Sequence, residues 1–371
     1  MSTPCIIYGD SDRCADIRYA TGLAIPDPFL YCDTGEQRFV IVSALEVARA
    51  RATANDGIDV FSCTEAKARF GMRKMAVHNQ IMGISRSLDI WEWHVPGDFP
   101  LGIAQRTPYK LRFRAAKGTL FPERAVKSEA EIEKLHAAEQ ITEAGMRAAI
   151  AMIAESTRKG DELFWQGQPL TSELVKGEIN SCIARHGGIA ANTIVASSWQ
   201  SSEPHNQGSG PILPDQPLII DIFPRITESG YFGDLTRTVV KGKAAPIVRD
   251  AYAAVQAARN AGIGMAKPGV NGKDIHSRLH EILADAGFET DAKAATPYGF
   301  FHGTGHGVGL EIHEGPRVSI VDDELKEGHV VTIEPGLYYR EWGGVRLEDM
   351  IAITATGCRN LTSIEDVLEL D

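Results

Sequence analysis

The chain has 371 residues, 43% of them apolar, and a formal net charge of −11. That length allows one large domain or two ordinary ones, and the apolar fraction is that of a globular protein. The acidic balance argues against a nucleic-acid or anionic-membrane partner, and no run of about 18 apolar residues predicts a membrane span.

Met1–Pro28 carries Asp10, Asp12 and Asp16 and shows no signal-peptide core. Six scattered cysteines, Cys5, Cys14, Cys32, Cys63, Cys182 and Cys358, include no CxxC pair. They read as reduced thiols of a cytoplasmic protein, not as a disulfide framework or a zinc knuckle.

Residues 1–121 read as a smaller α/β domain. The run Arg38-Phe39-Val40-Ile41-Val42 predicts a strand, and Leu45–Ala52 and Glu65–Phe70 predict helices. Gly97-Asp98-Phe99-Pro100 and the basic run Lys110–Lys117 mark irregular or exposed chain. Trp91, Trp93 and His94 read as ordinary core or surface aromatics, with a lip over a neighbouring subunit's site as the other reading. A boundary falls near Leu120-Phe121-Pro122, and 122–371 form the second domain.

A long helix starts at Ser128, with Glu131 at the capping-box position, and runs through Ile132, Leu135, Ile141 and Met146 toward Ile153. Beyond it the chain looks duplicated. Val175, Ile179, Ile183 and Gly187 match Ile275, Leu279, Leu283 and Gly287 at a constant offset, with helical spacing and a terminal glycine in each copy. Each copy then offers an acidic hairpin, so the fold class is α+β with pseudo-twofold halves and a site between them.

Those acids stand in strongly apolar strands. Asp221 follows Leu218-Ile219-Ile220, Glu334 follows Val330-Val331-Thr332-Ile333, and Glu348 ends Val345-Arg346-Leu347-Glu348. A carboxylate buried on a strand costs several kcal/mol unless paired, protonated or bound to metal. A turn centred on Thr227-Glu228 sets Asp234 opposite Asp221 on one face. Glu334 and Glu348 flank a second hairpin through Tyr339–Gly343. Four carboxylates and one imidazole, His306, suit Mn²⁺, Co²⁺, Fe²⁺ or Zn²⁺, and exceed the needs of one cation, so two metals are expected. Such a pair activates water for hydrolysis of amides or phosphates.

The segment His302-Gly303-Thr304-Gly305-His306-Gly307-Val308-Gly309-Leu310-Glu311-Ile312-His313 packs histidines between glycines that let backbone approach a site closely. With the strand acids, it resembles the motifs of the M24 "pita-bread" metallopeptidases, in particular the proline-specific branch of Xaa-Pro aminopeptidases and Xaa-Pro dipeptidases. Ala125-Val126-Lys127-Ser128 resembles that branch's entry into its catalytic domain, and Ile17–Gly22 more weakly its creatinase-like N-terminal domain.

The resemblance implies a pita-bread catalytic domain, a creatinase-like domain before it, and a homodimer acting on proline-containing peptides. It makes Asp221 the carboxylate on one metal, Asp234 and Glu348 the bridging pair, and His306 and Glu334 the ligands of the other metal, with Mn²⁺ the first choice of cation. Glu334 is then also the proton shuttle. His205, His302 and His313 fall where the branch has histidines that contact substrate, and Arg346 matches an arginine near its site. Asp221 and Asp234 are thirteen apart where the family has eleven, which keeps both on one face and alters the pocket more than the ligands. A metal-dependent enzyme on a non-peptide small molecule, or a non-catalytic binding module, are the alternatives.

Overall fold

Two units divide the chain, Met1–Arg124 and Ala125–Asp371, and the computed structural model describes residues 3–371 of them. In the first, six strands make one mixed sheet in the spatial order Ile58–Ser62, Arg38–Val42, Phe29–Asp33, Cys5–Gly9, Glu92–Val95, Arg112–Ala115. Side chains alternate across it: Ile6, Leu30, Cys32, Phe39 and Ile41 enter one core, Ile7, Phe29, Tyr31, Val40 and Val42 the other. With both faces covered, the strands become the continuous apolar runs seen in the sequence. Ser62 caps the helix Cys63–Arg69, and Glu65 closes the capping box.

One expectation changes in this unit, and one is narrowed. The basic run is not irregular: Arg112–Ala115 is the outermost strand, paired in parallel with Glu92–Val95. An edge strand is hydrogen-bonded on one side only, and exposed Arg112 and Arg114 blunt the free side. Trp93 is fully enclosed, its Nε1 donating to Ser85 Oγ at 2.9 Å. That excludes it from any lip and leaves the core reading.

The second unit opens with the helix Glu129–Ala154, capped by Ser128 and Glu131 in a complete capping box. The duplication is physical. A shift of 100 residues carries the helix Ser172–Arg185 onto Gly272–Asp285. Thr171 and Asn271 cap these helices through their side chains, and Gly187 and Gly287 follow them at φ 79° and 89°. Each pairs with a longer helix, Glu129–Ala154 or Pro246–Met265.

Each helix pair buries its apolar stripe on one sheet. Val175, Ile179 and Ile183 meet Ile220, Ile222 and Leu235. Ile275, Leu279 and Leu283 meet Val331, Ile333 and Ile351. The first sheet holds Ile194–Ser197, Leu218–Ile222, Leu235–Lys241 and Glu369–Leu370. The second holds Glu314–Val318, Gly305–Gly307, Val330–Ile333, Asp349–Ile353 and Cys358–Asn360.

The two hairpins set the acids. In the first, the ladder runs from Leu218 opposite Val239 to Ile222 opposite Leu235. It continues through an Arg225–Phe232 bridge to a tip closed by Ile226 N–H donating to the Tyr231 carbonyl at 2.9 Å. The turn therefore centres on Glu228-Ser229, one residue beyond the expected centre, with Gly230 at φ 81°. Asp221 consequently opposes Thr236, not Asp234. In the second hairpin one register joins Val330–Ala352 through Ile333–Asp349 to Gly336–Arg346 through Tyr339–Gly343. Glu334 and Glu348 stand across from each other where the two ladders meet.

Candidate metal centre

Around those acids lies a cavity of about 990 Å³, lined by Asp221, Asp234, Glu334, Glu348, His205, His302, His306, His313 and Arg346, among others. Every residue singled out from the sequence therefore reaches one space. Asp234, His306 and Glu348 come closest together: each is buried, and their donor atoms all lie within 4.8 Å of one another. Asp221 and Glu334 share the cavity without joining that trio.

Strand periodicity places the carboxylates. Thr236 stands two residues beyond Asp234 on the same face. Its Oγ1 donates to Glu348 Oε2 at 2.7 Å and accepts from Arg346 Nε at 3.2 Å. At the junction of the second hairpin the acids' own N–H groups turn outward, Glu334 to the Thr304 carbonyl at 2.8 Å and Glu348 to the Thr236 carbonyl at 3.1 Å. The second of these bonds stitches one half of the unit to the other. Asp234 N–H donates to Glu139 Oε2 at 3.0 Å. Beside it, a Cβ on Gly233 would lie 2.2 Å from Thr142 Oγ1 and 2.8 Å from the Ala138 carbonyl, so only glycine lets this backbone rest on the long helix.

The electrostatics call for a cation. Burial first, and then repulsion from a neighbouring carboxylate, Glu348 for Asp234 and Glu334 for Glu348, push these two carboxyls well above the usual range. Burial likewise pushes Glu334 up to about 8 against the pull of Arg346. Burial, then neighbouring His313, takes His306 down to about 3, so its ring is neutral. Its Nδ1 faces the Gly307 carbonyl at 3.2 Å, where only an N–H is favourable. The Nε2 lone pair then points at Asp234 Oδ2, 3.6 Å away, and Glu334 Oε1, 3.4 Å away. A lone pair facing carboxylate oxygens in a buried site is repulsive unless a proton or a metal ion lies between them. Buried oxygen donors with one neutral imidazole fit a divalent first-row metal.

The remaining candidates differ in freedom. Arg346 is buried and committed three ways: Nη2 to Asp221 Oδ2 at 2.7 Å, Nη1 to Tyr338 Oη at 2.8 Å, and Nε to Thr236. His313 stands edge-on to His306, ring centroids 4.4 Å apart. His205 is exposed on the wall, just beyond the turn Ser198–Ser202. His302 lines the cavity and is held there by two contacts. Its Nδ1 meets the Gly303 carbonyl at 2.7 Å and its Nε2 the Tyr338 hydroxyl at 2.9 Å, so both ring nitrogens are engaged within the protein.

Sequence reasoning passes over Tyr338, Thr236 and Glu139. Glu139 carries a signal, since it follows Leu135 by one helical turn on the buried face that also carries Ile132 and Met146. Thr236 and Tyr338 carry none beyond strand parity with the acids.

The chain is similar to known proteins. The model of metallopeptidase family M24 matches residues 133–355. An Xaa-Pro dipeptidase of Pyrococcus horikoshii is 31% identical over 340 residues, covering 90% of this chain and 86% of the relative. An Xaa-Pro dipeptidase of Lactobacillus delbrueckii subsp. lactis is 30% identical over 370 residues, covering 95% and 92%. The crystal structure of the prolidase from Pyrococcus horikoshii OT3 superposes with a TM-score of 0.78 at 28% identity, covering 98% of this chain and 95% of that one.

Proposed function

The chain belongs to metallopeptidase family M24, and from that premise we propose that it hydrolyses the peptide bond before proline in Xaa-Pro dipeptides and at the N-terminal Xaa-Pro of short peptides. It is a metallopeptidase with the pita-bread fold of that family and uses divalent metal. The finer assignment is two cations per chain, Mn²⁺ first among Mn²⁺, Co²⁺, Zn²⁺ and Fe²⁺, held by Asp221, Asp234, His306, Glu334 and Glu348. The observation that carries it is the neutral His306 ring aimed at buried carboxylates from both hairpins. The names of the similar dipeptidases support the choice of proline.

Bound there, divalent cations supply Lewis-acid activation of water and of the scissile carbonyl. Glu334, in the cavity wall beside the close trio, is placed to take a proton from the attacking water and pass it to the departing nitrogen. That nitrogen belongs to a tertiary amide and has no N–H of its own. His313, kept neutral by partial burial, offers an N–H to the developing oxyanion, with His205 on the same wall. Arg346 fixes Asp221, and His302 fixes Tyr338, which in turn receives Arg346. A volume of about 990 Å³ is at the upper end of ligand pockets, roughly 300–1,000 Å³, which supports room for a residue beyond proline.

The same reading makes 1–121 a creatinase-like N-terminal domain and 122–371 the catalytic domain. It gives a homodimer in the cytoplasm, where the six free cysteines stay reduced. The test is a panel: Mn²⁺-loaded protein with an Xaa-Pro dipeptide, an Xaa-Pro-Yaa tripeptide and creatine. Cleavage of the first two and not the third is expected. Failure on every Xaa-Pro substrate with each divalent metal tried would sink the proposal.

A further inference from the structure

One side chain behind the cavity reaches toward both hairpins. Glu139 lies on the long helix Glu129–Ala154 and is fully buried. Its Oε2 accepts from Asp234 N–H at 3.0 Å, and its Oε1 accepts from Thr362 Oγ1 at 2.6 Å. Thr362 Oγ1 also accepts from Met350 N–H at 2.9 Å, on the strand that follows Glu348. Glu139 thus grips the backbone of Asp234 directly and the strand beside Glu348 through one hydroxyl. Those two acids come from different hairpins and belong to the close trio.

We infer that Glu139 is a positioning residue for the metal centre, setting the separation of Asp234 and Glu348 across the two halves. It touches neither metal nor substrate. The inference rests on the reading of those two acids as ligands. Truncating this carboxylate strands the Asp234 N–H and the Thr362 hydroxyl together in an apolar interior, where an unmet donor is costly, so both strands would shift to find new acceptors. Groups that orient metal ligands typically change affinity about 10–100-fold when removed. Glu143, one turn further on, provides the contrast. It is buried too, but it accepts from the C-terminal strap, through Ser363 Oγ at 2.8 Å and Ile364 N–H at 3.0 Å, and from Arg147 at its exposed end.

The experiment is Mn²⁺ titration by calorimetry of full-length wild type, Glu139→Ala, Glu139→Gln, Glu143→Ala and Asp234→Asn, each first checked for native circular dichroism. Glu139→Ala is expected to weaken Mn²⁺ binding about 10–100-fold, and Glu139→Gln, which keeps an acceptor for Asp234, to restore most of it. Glu143→Ala is expected to lower the unfolding midpoint without moving Mn²⁺ affinity. If Asp234→Asn binds Mn²⁺ like wild type, the ligand assignment itself is wrong. If Asp234→Asn loses Mn²⁺ while Glu139→Ala keeps it, or if Glu143→Ala loses affinity equally, the positioning role is overturned. Should Glu139→Ala not fold, Thr362→Val decides: it cuts the Glu348 arm alone and is expected to weaken Mn²⁺ several-fold, and unchanged affinity overturns the inference.

Discussion

Arg346 donates from Nη2 to Asp221 Oδ2 at 2.7 Å, and the two side chains are 3% and 13% exposed. One stands on Gly343–Arg346 in the second hairpin, the other on Leu218–Ile222 in the first, so this ion pair joins the halves across the cavity. Breaking a buried pair by deleting one partner costs about 3–5 kcal/mol. Arg346→Ala is therefore expected to destabilise metal-free protein by about that much, and Mn²⁺ to return part of it by compensating Asp221. Urea unfolding with and without Mn²⁺ measures both. An equal loss in the two conditions would show that Asp221 does not share its charge with metal.

Asp234→Asn keeps the shape of the side chain and removes its negative charge. Metal content and Xaa-Pro cleavage are expected to fall together, read by elemental analysis of the same samples used for rates. Full activity in protein without bound metal would refute the proposed chemistry.

Phe223 lies in the cavity wall, two residues past Asp221, within the longer spacing between the two aspartates. Trimming apolar bulk from a substrate pocket costs about 1–3 kcal/mol of binding. Phe223→Ala is expected to raise KM for Xaa-Pro dipeptides with an apolar Xaa about thirtyfold, near the middle of that range, with kcat changed less. Steady-state kinetics that show an unchanged KM and a collapsed kcat would place Phe223 in structure or chemistry instead.

His329 gives a pH signature away from the acids. Lys326 N–H donates to its Nδ1 at 3.1 Å, which requires a lone pair there. Burial, and then Lys127, pushes the ring down to about 4, against about 6.5 in an unfolded chain. The unfolded state therefore binds the extra proton between those values. The stability that the neutral ring contributes is complete above pH of about 6.5 and is lost as pH falls toward 4. His329→Gln keeps an acceptor and cannot titrate. Its urea midpoint is expected to change less between pH 7 and 5 than that of wild type, and identical slopes would remove His329 as the cause.

Much of this architecture is legible in the sequence because buried charge is rare and strand parity is strict. Asp221, Glu334 and Glu348 announce themselves by apolar neighbours, and matching helix positions expose the repeat. The first hairpin's register is not legible. Thr227–Gly230 admits more than one turn centre, and moving that centre by one residue moves Asp221's partner by two, from Asp234 to Thr236. The basic edge strand escapes notice because solvent-facing arginines look like loop. The engagement of His302 is equally hidden, because Tyr338 lies 36 residues away along the chain and meets the ring only through the fold.

As a covalent object, the second unit is two half-folds on one thread. Each half has its own helix pair and sheet core, and each contributes two of the four acids. The connection between them, Gly242–Ala245, follows the last strand of one half and precedes the first helix of the other. A backbone nicked there leaves two fragments that still share a core of Ile132, Leu135, Val330 and Met350 and the strand Glu369–Leu370, and whose acids repel. Among the links from one fragment to the other are that core, the Arg346–Asp221 and Arg237–Asp349 ion pairs and the Glu348–Thr236 bond, and any cation seated among the carboxylates adds to them, so the cofactor of the reaction doubles as a rivet between the halves.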